Sequence, residues 1–278
     1  MFRADAASCR ARSSCSRCNG GHDVTAIIAI RVNDGIVLAA EGRSLIRRNR
    51  DGETVAAFEH AGKVFALSEQ PAVAFAGCGA GSVGGLSLRF LASELASANR
   101  EHPPTGVRET LERASAAIQR RSADPVCPAH NPRPDLDWLI GGYDEAAPLP
   151  VLWRLRVRQG RPQAPERIER GMVWAGEGAQ AIDRLIGGVA PELPVLIRSE
   201  VSDVPTAERL VELLPRFQLD LVHPEMPLGD AVALARLLLD TAIGIERLRG
   251  AVPSAGGELS IAIIDRQRGF RYVCGEPL

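Results

Sequence analysis

No stretch of this 278-residue chain approaches the ~18 consecutive apolar residues that a membrane helix needs, so no membrane span is expected. Nor is there an excess of one charge. The 33 Lys and Arg stand against 34 Asp and Glu, whereas nucleic-acid binders carry a clear basic surplus, so no nucleic-acid partner is expected. A disulfide framework is missing too: Cys9, Cys15 and Cys18 crowd the start, while Cys78, Cys127 and Cys274 are far apart. Cys15 and Cys18 with Cys9 and His22 make half of a zinc site. A second ligand pair at finger spacing is lacking, and the segment has almost no apolar content, so neither metal nor cofactor is expected. The N-terminus has arginines and small residues but no apolar core before the first turn signal. That makes a poor secretory signal, and a cytoplasmic location is expected.

Lysine is scarcest of all. Of the 33 basic residues a single one, Lys63, is lysine. Arginine is essentially always charged, whereas a lysine amine can have its pKa lowered and exchange protons. A lone lysine in an arginine-rich chain therefore marks a place where arginine does not serve.

What is present describes an ordinary globular chain, 45% hydrophobic and 24% charged. Residues 1–23 are polar and aperiodic, and the character changes abruptly at Thr25. Thr25–Val32 reads as a buried strand, Asn33-Asp34-Gly35 as a hairpin turn and Ile36–Ala40 as the returning strand. A charged loop is expected through Arg43–His60, then a strand pair at Lys63–Leu67 and Ala72–Ala76. The glycines from Gly77 to Gly81 are expected to end the sheet and open a helix through Leu86, Phe90 and Leu95. A second helix, about Gly106–Arg121, carries Val107, Leu111 and Ile118 on one face. Strands follow at Trp138–Tyr143, Val151–Val157 and Met172–Ala175, helices at Gly176–Ile186, Thr206–Leu214 and Pro227–Leu248, and a closing hairpin at Leu259–Ile264 and Phe270–Val273. Segregated runs of strands and helices predict an α+β protein, not alternating βαβ units.

Four stretches in register carry a resemblance to a known family. Thr25–Ser44 resembles the opening strand pair of the proteasome β/α-subunit superfamily, where a hairpin leads to an acid and an arginine. Gly62–Leu67 followed by Ala72–Gly77 resembles the next pair, Trp138–Glu145 the central strand, and Gly256-Gly257 with Ser260–Asp265 the closing strand. The resemblance covers residues 25 to about 274. It implies a divergent bacterial proteasome-like protein of the N-terminal-nucleophile class: a four-layer αββα sandwich of two antiparallel sheets flanked by helices. It divides the chain into an extension, 1–24, and a domain, 25–278. It implies a peptide or protein substrate and a homo-oligomeric ring, and leaves open whether an unfoldase serves it.

Carried over residue by residue, the resemblance makes Thr25 the nucleophile, Glu41 the acid and Lys63 the lysine beside the nucleophile. Gly77 becomes a backbone donor to the oxyanion. Chance would place the only lysine at that position once among 33 basic sites. The implied chemistry is coherent. A threonine hydroxyl needs a base, and an α-amine of pKa near ~8 is partly unprotonated at neutral pH. A cation beside it lowers that pKa further and favours charge developing on oxygen. The expected activity is a threonine-type peptidase or amidohydrolase. The alternatives are a noncatalytic ring subunit, and acyl transfer to an amine, which shares the first step.

The chain also departs from the pattern. Catalytic members carry an acid and a serine before the closing double glycine; here those positions fall on Val252 and Ala255, with Ser254 one residue off. Another supporting serine is replaced in Trp174–Ala179, where Glu177 offers a carboxylate instead. The loop between Ser44 and Lys63 is longer than usual. Val24, not glycine, precedes Thr25. Either residues 1–24 are a propeptide, or translation starts at a valine codon for Val24 and trimming exposes Thr25. The second is the expectation favoured here, because residues 1–23 lack anything foldable.

Overall fold

The computed structural model describes residues 25–47, 54–126, 133–145, 147–190, 192–249, 253 and 255–275. The cysteine-rich N-terminal segment, Val24, Val252 and Ser254 lie outside them. The chain opens with β1 (Ile27–Val32) and β2 (Gly35–Ala40), joined at the expected Asn33–Gly35 turn. The stretch expected as a charged loop instead contains a hairpin, β3 (Ser44–Arg47) with β4 (Thr54–Phe58). Next come β5 (Val64–Glu69) and β6 (Ala72–Gly79). The glycines after Ala76 do not end this strand as expected. It runs on to Gly79, because Gly77, Cys78 and Gly79 pair with Trp138, Asp137 and Leu136.

A small ribbon, β7 (Ser82–Val83) with β8 (Leu86–Ser87), precedes α1 (Leu88–Glu101). Ser87 caps this helix, its Oγ accepting from the Phe90 N–H at 3.2 Å. The buried face is Leu88, Leu91, Ala92, Leu95 and Asn99, while Phe90 points to solvent, contrary to expectation. Leu88 starts the helix two residues after Leu86, which rotates the i, i+3, i+4 stripe away from Phe90.

After α2 (Val107–Ala123) come β9 (Leu136–Gly142), β10 (Val151–Arg158), the short β11 (Arg161–Pro162) and β12 (Glu166–Arg167), and β13 (Met172–Ala175). A 3-10 turn at Glu177–Ala179 leads into α3 (Gln180–Gly187), followed by α4 (Leu193–Glu200) and α5 (Val204–Leu213). The periodicity did not announce α4: none of its residues is buried, so no apolar stripe marks it. The long α6 (Leu228–Leu248), β14 (Ser260–Asp265) and β15 (Gly269–Cys274) finish the described chain.

The protein is thus α+β, with antiparallel sheets and six α-helices among the described residues. One sheet has the order β13-β1-β2-β14-β15, the other β11-β10-β9-β6-β5 with β12 beside β10. Successive side chains of a strand face opposite ways, and here both faces are covered. In β1, Ile27 and Ala29 join Leu38, Ala74, Ala76 and Leu139 in a core between the sheets. Ile28 and Ile30 face the other way, onto Leu238 and Leu239 of α6 and Ile182 of α3. On the second sheet, Phe75 and Trp138 pack beneath Leu91 of α1 and Leu111 of α2. Two-sided burial explains why β1 and β2 read as unbroken apolar runs instead of alternating ones. Each large aliphatic side chain so buried contributes about 1.5–3 kcal/mol.

Candidate active site

Thr25, Glu41 and Lys63 are brought together at one end of the two sheets. Thr25 leads into β1, and Glu41 follows directly on β2; Ile27 pairs with Ala40, and the Glu41 N–H donates to the Ala26 carbonyl at 3.2 Å. Lys63 stands just before β5. All three are buried: Thr25 and Glu41 are 0% exposed and Lys63 is 4% exposed.

The Lys63 ammonium has three donors, and three acceptors meet it. Nζ donates to Thr25 Oγ1 at 2.6 Å, to Glu41 Oε1 at 3.0 Å and to the Arg43 carbonyl. Glu41 is held on its other oxygen, where Oε2 accepts the N–H groups of Arg43 and Gly256, each at 2.8 Å. Burial raises the Glu41 carboxyl above its ordinary pKa, against the opposing pull of Lys63 and of the Gly256 and Arg43 amides.

Gly77 lines the same cavity, but its N–H donates to the Lys63 carbonyl at 2.8 Å. In this structure that amide is engaged on the β5–β6 side. Cys78 follows it, 4% exposed, with a thiol that burial and Asp137 push up to about 12.

The supporting serine position is taken by Ala255, which is fully buried and has no hydroxyl to offer. Of the two expected substitutes, Ser254 lies outside the described residues, and Glu177 is exposed in its 3-10 turn and absent from this hydrogen-bonded set. A different carboxylate enters, one that the sequence reading did not single out. Glu59, just beyond β4, grips the Arg43 guanidinium, with Nε at 3.0 and 3.2 Å from its two oxygens and Nη2 at 2.7 Å. Arg43 also donates through Nη1 to the Pro253 carbonyl at 3.1 Å. The hairpin that lengthens the loop between Ser44 and Lys63 thus delivers an acid to the arginine whose carbonyl binds Lys63. An acid beyond a run of β-branched and apolar residues, Thr54–Phe58, was the available signal. Glu59→Gln is expected to lower turnover while leaving the melting temperature nearly unchanged, because the pair is partly exposed. Thermal melts beside steady-state rates would check it; equal rates would show that Glu59 has no bearing on the site.

Glycines let the surrounding chain approach this closely. Gly176, at φ +102°, follows β13; a Cβ there would lie 1.7 Å from the Thr25 carbonyl oxygen. At Gly257, φ +77°, a Cβ would lie 2.4 Å from the Glu59 carbonyl oxygen and 2.8 Å from the Arg43 nitrogen. The second glycine of the closing pair is therefore required by the approach of β14 to the Arg43–Glu59 segment.

The cavity beside Thr25 has a volume of ≈240 Å³. A buried hydroxyl that accepts from an ammonium and borders a small cavity is suited to nucleophilic attack, since the cation steadies charge on the oxygen once its proton leaves. Among the described residues no group of three or more His, Cys, Asp or Glu is placed to hold a metal ion. No helix among them is long and apolar enough to cross a membrane.

No family model matches the chain, and no curated protein matches it in sequence. Among solved structures it is similar to Anbu (ancestral beta-subunit) from Yersinia bercovieri, at 13% identity and a TM-score of 0.50, covering 90% of this chain and 88% of that one. Anbu from Hyphomicrobium sp. strain MC1, as one mutant and one further structure, matches at TM-scores of 0.48 and 0.47, each 16% identical, over 91% and 90% of this chain and 88% of theirs. The expected membership of the proteasome β/α-subunit superfamily is corrected by these findings. It rested on four short stretches, no family model supports it, and the likeness to Anbu from Yersinia bercovieri, at 13% identity, speaks for fold alone. The chain is similar in fold to Anbu (ancestral beta-subunit) over nine-tenths of its length.

Proposed function

We propose that this protein is a threonine-type peptidase or amidohydrolase in which Thr25 attacks an amide carbonyl with its own α-amine as general base. The observation that carries the reading is the 2.6 Å hydrogen bond from the chain's only lysine to Thr25 Oγ1, with Glu41 holding that lysine from behind. The Thr25 oxygen accepts from Lys63, so its own proton is free to pass to the amine as the C–O bond forms. Collapse of the tetrahedral intermediate releases the leaving amine, which takes the proton, and leaves an ester on Thr25. Water, activated by the same amine, then hydrolyses the ester and regenerates the hydroxyl. Catalysis in this scheme requires a free Thr25 amine, exposed either by removal of residues 1–24 as a propeptide or by a start at Val24 and trimming, with 25–278 the working domain. The three apolar cores fit helix, sheet, sheet and helix stacked as αββα. We extend the reading to a homo-oligomeric ring acting on peptides in the cytoplasm, on the strength of the likeness in fold to Anbu (ancestral beta-subunit).

A noncatalytic ring subunit is the competing reading, favoured by the engaged Gly77 amide and by Ala255, which removes a supporting hydroxyl. One experiment separates them. The full chain is expressed with a protease site that exposes Thr25, then treated with a neutral β-lactone and analysed by peptide mass spectrometry. A peptidase gains one adduct on Thr25 and cleaves amide substrates, and Thr25→Ala loses both. Absence of adduct and of cleavage from a folded chain with a free Thr25 amine would leave the structural reading.

A further inference from the structure

The cavity beside Thr25 is bordered by two cations, and of these only Lys63 has a carboxylate partner among the described residues. Among its lining residues, Lys63 and Arg89 alone are cationic. The Lys63 charge is offset by Glu41. Arg89, the second residue of α1, is exposed, and its guanidinium lies over the Phe65 ring at 5.6 Å from the centroid. A guanidinium held at an aromatic face still presents N–H groups for the two parallel hydrogen bonds that a carboxylate accepts. Cys78 adds no negative charge to the wall, since its thiol is pushed up to about 12.

The remaining wall is short. Ala61, Gly62, Gly77, Gly79 and Gly81 contribute little side-chain bulk around a volume of ≈240 Å³. That is below the ~300–1,000 Å³ of cavities that take drug-sized ligands. It suits a single extended side chain, with backbone polar groups along its length and a cation at the rim.

We infer that this cavity selects an acidic residue on the acyl side of the amide to be cut, a glutamate or aspartate whose carboxylate is held by Arg89. The inference rests on Thr25 being the nucleophile that the cavity serves. Lysine cannot reproduce the planar, stacked fork, so Arg89→Lys retains only part of the preference, and Arg89→Glu reverses its sign.

The test uses the full chain processed to Thr25 and three N-acetyl aminoacyl coumarin amides that carry glutamate, leucine or arginine. The β-lactone adduct on Thr25 is measured in the same preparation. Expected is a kcat/KM for the glutamyl amide roughly 10- to 100-fold above that for the leucyl amide, the worth of one charge-assisted contact. Arg89→Glu should remove that advantage and favour the arginyl amide, while the neutral lactone still labels Thr25. A labelled Thr25 with no glutamyl preference, or a preference unchanged in Arg89→Glu, would overturn the inference and leave the nucleophile reading standing. An unlabelled, inactive Thr25 would sink both together.

Discussion

Lys63→Met is expected to abolish labelling of Thr25 and to destabilise the fold by about 3–5 kcal/mol, the cost of stranding a buried carboxylate by removing its partner. Glu41 is 0% exposed and would keep only the Arg43 and Gly256 amides as donors. The stability loss should depend on pH with a definite sign. Burial already raises the Glu41 pKa, and removing Lys63 takes away the largest opposing influence, so the carboxyl rises further. A group raised in the folded state stabilises most below its unfolded pKa, near ~4.3, and that contribution is lost as pH climbs through the folded value. The variant should therefore be closer to the parent at pH 5 than at pH 7.5 in urea denaturation. A stability gap that widens on acidification would contradict this account of Glu41.

Lys63→Arg tests the chemical half of the same claim. Charge is retained, but a planar guanidinium cannot aim three N–H groups from one atom at Thr25 Oγ1, Glu41 and the Arg43 carbonyl. No rescue of Thr25 labelling is expected. Parent-like labelling would mean that the single lysine is an accident of composition.

The second large effect is expected at Gly176, through backbone geometry alone. Gly176→Ala would place its Cβ 1.7 Å from the Thr25 carbonyl oxygen and 2.7 Å from the carbonyl carbon, at φ +102°, where residues with a Cβ are strained. Neither obstacle is a flexible side-chain tip, so the main chain at Thr25 must move. Displacement of a reacting atom by ~1 Å costs on the order of 100-fold in rate. The rate of Thr25 labelling should fall by about that factor. Gly187→Ala is the matched control. It lies in α3 with nothing within 4 Å of its added Cβ. It is the last residue of that helix, so the substitution should leave labelling unchanged and stabilise by at most about 0.5 kcal/mol, less than the preference for alanine over glycine in a helix interior. A parent-like labelling rate in Gly176→Ala would show that the β13–Thr25 contact does not position the nucleophile.

Much of the strand framework was legible from composition. The runs Thr25–Val32, Ile36–Ala40, Trp138–Tyr143 and Met172–Ala175 are apolar and bounded by turn residues, and each lies on a strand within a residue or two of its expected ends. The β3–β4 hairpin was not, because Leu45 is buried in it but β4 is exposed or half-exposed along its whole length, so no alternation marks a strand. The extension of β6 through Gly77–Gly79 was hidden for the opposite reason. Glycines usually end strands, but here β9 offers partners out to Leu136.

Thr25, Glu41 and Lys63 were named through the resemblance of four short stretches; only the uniqueness of Lys63 and the abrupt change of character at Thr25 were features of the residues themselves. Their convergence is a matter of register: Ile27 opposite Ala40 sets Glu41 beside Thr25, and β5 brings Lys63 in from the other sheet. Sequence order could not decide that the Gly77 amide would be spent on Lys63, because which amides point across a ladder depends on pairing. It could not assign Glu59 to Arg43 either, a contact that exists only once a hairpin folds back over the site. The sequence by itself determined which residues are apolar, which glycines are available and where the one lysine lies. Tertiary structure alone decided which donors are free, because a hydrogen bond spent in one sheet is no longer available to the site beside it.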